Sequence, residues 1–283
     1  MKRIILTGIL VLMAGAPALV AQGKGNGNTK GAPAAKGPAP KSKGELDAYN
    51  ALAAAQQQNN PDAVITAAEN LVTKYADTDF KDVALFMEAM AYQAKGDRDK
   101  MQINLERTLA TNPKYFQASL IMAESTIQAT REHDLDRDDK LAKAEKYAND
   151  AIADIAAAQK PNPALSDQQW DDAKKDLTAQ AHDALGMSAL QKKNYDQAIT
   201  ELKTAVDGAA HPEPAFEVRL ASAYQQAGKN DEAITTAQKV MDEPQTPQQI
   251  KSVAQSIRAA AAVAKNGTKP ANAPPPQVEI KKQ

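Results

Sequence analysis

The sequence predicts an all-α protein, an α-solenoid of about five helix-turn-helix repeats closed by a C-terminal capping helix. Three observations lead there. Apolar residues stand at helical spacing throughout residues 45–265, with much alanine and only 4% aromatic residues in the chain. Helix start and stop signals punctuate that stretch at regular intervals. Small residues also recur in register every 34 to 37 positions.

The first 21 residues set the compartment. Lys2 and Arg3 precede an apolar run from Ile4 to Ala14, and small residues follow at Ala16, Ala18 and Ala21. That is the layout of a secretory signal peptide, so residues 1–21 are expected to be cleaved and the protein exported, to the periplasm or beyond. Thr7, Gly8, Gly15 and Pro17 interrupt the run, which falls short of the roughly 18 apolar residues an uncleaved anchor needs. No transmembrane segment is expected after cleavage. The chain contains no cysteine, which removes disulfides, a lipid-anchored N-terminus, thiolate metal sites and thiol catalysis together.

Residues 22–44 consist mainly of Gly, Pro, Ala, Lys and Asn and offer nothing larger than Ala or Pro to bury, so a disordered linker is expected. Residues 266–283, opening with NGTKPANAPPP, are expected to form a disordered Pro-rich tail. Both arms are basic, and the body between them, residues 45–265, holds 24 basic against 34 acidic residues. The near-neutral formal charge of −1 therefore conceals a strongly acidic helical domain. The linker lysines are diluted by Gly and Pro with no aromatic among them, the composition of a solvated spacer and not of a nucleic-acid contact.

Within the body the punctuation reads as follows. Asn60 before Pro61 supplies a cap and a preorganised first helical position. Gly96 before Asp97 ends one helix and opens the next, and Gly228 with Asn230 repeats the device. Ser166 with Gln169 forms a capping box after the breakers Pro161 and Pro163. The helices so delimited span roughly 45–58, 61–76, 80–95, 97–111, 114–131, 138–159, 166–192, 194–208, 213–227, 230–242 and 247–265.

The repeat is clearest near the C-terminus. Leu185, Gly186, Ala198, Leu202 and Ala205 have counterparts 35 residues later in Leu220, Ala221, Ala233, Ala237 and Val240, with Tyr224 and Gly228 between them. An earlier copy reads Leu85, Ala89, Tyr92, Gly96, Met101, Leu105 and Pro113. Met122 and Ala123 open another, whose second helix resumes after an insertion at Ala144, Ala148 and Ala151; a first copy uses Leu52, Ala55, Val64, Ala67 and Leu71.

This spacing resembles the tetratricopeptide repeat, whose 34-residue pattern sets a small residue at position 8, Tyr at 11, Ala at 20, a large apolar residue at 24 and Pro at 32. The match departs from the pattern at the Trp position, which holds Leu85, Ser119, His182 and Glu217, and at Ala237, where a bulky residue belongs. The resemblance implies a non-catalytic protein that grips a peptide or protein in a groove lined by the first helix of each hairpin. Carried over position by position, the lining comprises Val83, Phe86, Met90 and Gln93, then Gln117, Leu120, Glu124, Ile127 and Gln128. It continues with Asp183, Met187, Leu190 and Gln191, and with Val218, Ser222, Gln225 and Gln226. Met90, Leu120 and Met187 have a competing role in the core between repeats. An acidic body favours a basic or neutral protein or peptide partner, and a self-associating envelope module is the alternative.

Chemistry-bearing patterns are few. Asp134, Asp136, Asp138 and Glu145 match four ligand places of a calcium loop, although the place where the turn wants Gly holds Asp139. Acids ahead of a helix also satisfy its N-terminus without metal, which is the reading preferred over a calcium- or polymer-binding protein. His133, His182 and His211 belong to no recognisable catalytic motif, and Trp170 is read as cover for an Ala-rich neighbouring helix. No catalytic residue and no cofactor is expected.

Overall fold

The computed structural model describes residues 38–267. The signal peptide, most of the linker and most of the C-terminal tail expected from the sequence lie outside the described residues. Those described form eleven α-helices and no strand. In order they are α1 (Lys43–Gln57), α2 (Pro61–Lys74), α3 (Lys81–Lys95), α4 (Arg98–Thr111), α5 (Phe116–Ala129) and α6 (Arg137–Ala157). There follow α7 (Asp167–Gln191), α8 (Tyr195–Gly208), α9 (Pro214–Gln226), α10 (Asn230–Asp242) and α11 (Gln248–Lys265). Every helix read from the sequence is present, with ends displaced by two residues at most. Five hairpins and a final helix result, each hairpin comprising an A helix (α1, α3, α5, α7 or α9) and a B helix. None of the described helices is long and apolar enough to cross a membrane.

The caps explain these boundaries. Asn60 accepts from the Ala63 amide at 3.2 Å and Asp97 from that of Lys100 at 3.1 Å. Ser166 accepts from the Gln169 amide at 3.1 Å, while Gln169 accepts from the Ser166 amide at 2.9 Å, closing the capping box. Gly96 takes φ +75°, the left-handed conformation that lets α3 end and α4 begin with only Gly96 and Asp97 between them. The start of α10 departs from expectation. Asn230 is the first helical residue and Lys229, which has no side chain able to accept, occupies the cap position.

The helices divide into two compact units, residues 38–119 and 120–267, the division falling within α5. In the first unit α1 packs on α2, α2 on α3 and α3 on α4. Its core joins Leu52 of α1, Val64, Ala68 and Leu71 of α2, and Ala84 and Met87 of α3, with Phe80 stacked on Tyr49 at 4.3 Å between ring centroids. The opening of α1 is fastened to this core two residues earlier than the sequence suggests. Glu45, only 1% exposed, accepts from the Lys41 amide and from the Thr78 hydroxyl, both at 2.6 Å, and Lys41 Nζ bonds to the Asp77 carbonyl. A buried carboxylate is tolerable when its oxygens are so occupied.

A second buried acid of this unit is less comfortable. Glu88 on α3 is 3% exposed and accepts from Asn104 Nδ2 at 3.0 Å, while Arg107 donates to Asn104 Oδ1 at 2.6 Å. Burial raises the Glu88 carboxyl above its ordinary value of 4.5, against the opposing pull of Arg107 and Asn104. For a carboxyl raised in the fold, stability falls as pH climbs from the ordinary value through the folded one. Glu88→Gln keeps an acceptor for Asn104 and removes that slope. The gap in urea midpoint between variant and wild type is expected to widen in the variant's favour as pH rises above about 4.5; a gap independent of pH would refute it.

The second unit shows serial stacking directly. Each helix from α6 to α11 packs on the next, and α9 additionally touches α7, the preceding A helix, and the final helix α11. Successive clusters carry the core: Ala189, Ala198, Ile199, Leu202, Leu220 and Ala223 across α7, α8 and α9, then Val218, Ala237, Val240, Ile250 and Ile257 across α9, α10 and α11. Alanine and glycine sit where backbones approach. A Cβ added to Gly186 on α7 would lie 2.5 Å from Leu202 Cγ and 3.3 Å from the Leu202 amide nitrogen on α8.

Candidate partner-binding face

The A helices of the second unit, α5, α7 and α9, lie in adjacent register. Gln191 on α7 donates from Nε2 to the Ile127 carbonyl of α5 at 2.8 Å, and Arg219 on α9 donates to Asp183 Oδ2 of α7 at 2.6 Å. Asp183 and Arg219 are each 7% exposed, so the ion pair is an interior tie between successive repeats. Burial alone works against the Arg219 charge, but Asp183, Glu124 and Glu213 more than offset it, and the guanidinium holds its proton more tightly than usual.

Several residues expected to line a groove are corrected to the interior. Phe86 is buried with its ring 4.8 Å from that of Tyr115, and Val218 belongs to the core cluster of α9, α10 and α11. Leu120 and Ile127 are buried, Ser222 is buried with its hydroxyl accepting from Gln226 Nε2 at 3.0 Å, and Asp183 is consumed by Arg219. The remainder keep surface. In the first unit these are Val83, Met90, Gln93 and Gln117, all half-buried. In the second, Glu124, Met187, Leu190, Gln191, Gln225 and Gln226 are half-buried and Gln128 is exposed. The surviving face is thus an amide-rich strip with Met187 and Leu190 as its apolar part. Arg219, the strongest electrostatic feature beneath it, was not among the residues singled out by repeat position.

The acidic stretch before α6 does not gather into a cation site. Asp134 accepts from the Arg131 amide at 3.1 Å and from Lys140 Nζ at 2.9 Å, and Lys140 also meets Asp136 at 2.8 Å. Asp138 pairs with Arg137 at 3.0 Å. Glu145 lies two turns into α6 and bonds Ser188 and Lys192, each at 2.7 Å. Among the described residues no three acidic or imidazole groups converge as metal ligands. The physical reason is that α6 begins at Arg137, so the chain straightens into helix where a calcium loop must curl.

His182 and His211 each meet a carboxylate of a neighbouring helix, and His133 is exposed. His182 meets Glu201 at 2.8 Å between α7 and α8, and His211, ahead of α9, meets Asp176 of α7 at 2.9 Å. Trp170 is buried at the start of α7 with Lys174 5.9 Å from its ring centre.

Within residues 120–267, helices packed pair upon pair in sequence order, with Gly186, Ala198, Ala221 and Ala233 among their small buried residues, define a helical-repeat architecture. Residues 189–257 match the family model of the tetratricopeptide repeat. Within residues 189–257 the chain is thus similar to tetratricopeptide repeats, and repeats of this kind generally mediate protein–protein interaction. Among solved structures, that of a thermophilic TPR protein from Thermus thermophilus is similar, with 19% identity and a TM-score of 0.49 over 75% of this chain and 98% of that one. No curated protein matches the sequence.

Proposed function

We propose that this chain is an exported, non-catalytic scaffold of the cell envelope that grips a protein or peptide on the A-helix face of residues 120–267. The observation that supports it is the half-buried pair Met187 and Leu190 set among Gln128, Gln191, Gln225 and Gln226 on consecutive A helices. An apolar anchor framed by adaptable hydrogen-bonding groups is the composition of a polypeptide-binding surface. The excess of acid over base in residues 45–265 favours a basic or neutral partner.

The test is crosslinked recovery from the envelope fraction with the mature chain and its Met187→Arg variant. A desolvated arginine at the anchor is expected to reduce recovery of the wild-type partner at least about tenfold, a loss of roughly 1.4 kcal/mol. Equal recovery by both chains would remove the face from consideration. Light scattering separates the alternative, since a mass that rises with concentration, with nothing recovered, indicates self-association.

A further inference from the structure

Glutamine recurs at one register position of the A helices. Gln128, Gln191 and Gln226 each stand four residues after the half-buried or buried residue at the centre of their helix face, namely Glu124, Met187 and Ser222. Each spends one amide hydrogen inside the protein. Gln128 donates to Glu124 Oε1 at 3.0 Å, Gln191 to the Ile127 carbonyl at 2.8 Å and Gln226 to Ser222 Oγ at 3.0 Å. A carboxylate and a carbonyl can only accept, so the first two bonds fix which end of the amide points inward. Their carbonyl oxygens accept no hydrogen bond from any described residue, and the adjacent Gln225 carries a buried Oε1 in the same condition. Three amide oxygens on this face therefore lack a protein donor, and that of Gln225 lacks one beneath it.

We infer that this row recognises the main chain of an extended polypeptide, with the glutamine carbonyls accepting its amide hydrogens, so that binding tolerates many side-chain sequences. The proposal rests on the reading that the A-helix face holds a polypeptide and names how it does so. Packed helices generally stand about 8–10 Å apart and three residues of extended chain cover about 10 Å, so a row repeated on successive A helices is expected to match a three-residue step. Each glutamine thus meets every third residue of the ligand. A main-chain donor is the one group that any polypeptide supplies at that interval whatever its sequence, apart from proline. The held inner bonds keep the amides oriented before binding, which limits the ordering cost.

The experiment selects a phage-displayed library of random 12-residue peptides on the full chain, then measures the strongest binder as a synthetic peptide. An amide-to-ester scan of that peptide, which deletes one N–H at a time, is expected to lower affinity about fivefold at every third position and little between. The combined variant Gln128→Leu, Gln191→Leu, Gln226→Leu is expected to bind roughly a hundredfold more weakly. The scan uses unaltered protein, so it decides the matter even if the variant fails to fold. A scan without the three-residue period overturns the inference, as does undiminished binding by a folded variant, while leaving the binding face in place. Failure of the library to yield any binder overturns the binding face itself.

Discussion

Replacing Arg219 by alanine is expected to cost the fold about 3–5 kcal/mol in urea denaturation, because it breaks a buried ion pair and takes the guanidinium from the Asp183 carboxylate between α7 and α9. Asp183→Ala is expected to do comparable damage by stranding the guanidinium. The pair as a whole need not be stabilising: removing both charges together, as Arg219→Met with Asp183→Leu, is expected to recover most of the loss, since desolvation consumes much of what a buried ion pair gains. A double-mutant cycle measures the coupling directly. A single-variant cost below about 1 kcal/mol would show that water or other groups serve the remaining partner. The pair also sets register, since it joins residues 36 positions apart on neighbouring A helices.

The second large effect is expected at Gly186. Alanine there gains about 1 kcal/mol of helix propensity. That gain is opposed by a methyl group 2.5 Å from Leu202 Cγ, on a side chain that is fully buried and has nowhere to swing. Overpacking of this kind costs typically about 1–3 kcal/mol, so Gly186→Ala is expected to be destabilising on balance and Gly186→Val more so. Gly208 is the matched comparison, for a Cβ there meets nothing within 4 Å. Gly208→Ala is expected to be neutral or to stabilise by up to about 1 kcal/mol. If both alanine variants behave alike in chemical denaturation, the close approach of α7 and α8 is not what the glycine is for.

The helices were legible in the sequence because local causes set them. Asn60, Asp97 and Ser166 cap, Gly96 stops, and the apolar positions repeat at the helical period, all within a few residues of the boundary they determine. The hairpin order was legible for a related reason, since small residues at Gly186, Ala198, Ala221 and Ala233 mark contacts between neighbours in the chain. The binding face was only half legible. Repeat position tells which side of an A helix a residue occupies but not how far the next hairpin leans over it, so Phe86, Leu120, Val218 and Ser222 were placed at the surface and proved buried. Asp183 and Arg219 illustrate the same loss: their partnership spans two hairpins, and the one available hint is a lone arginine amid small and apolar residues in RLASAY. The helix expected from residue 138 begins at Arg137, so the acids at Asp134, Asp136 and Asp138 stand at a helix start, where the sequence sets them.

The anchoring of Lys41 has a mechanical side. Its amide is held by Glu45, its side chain reaches the Asp77 carbonyl and the Asp77 and Asp79 carboxylates, and Glu45 in turn grips Thr78. Tension applied through the segment preceding residue 38 is therefore delivered to the turn between α2 and α3, where several bonds share the load, instead of unzipping α1 one turn at a time. A chain tethered by its N-terminal arm can be pulled without its first repeat peeling away.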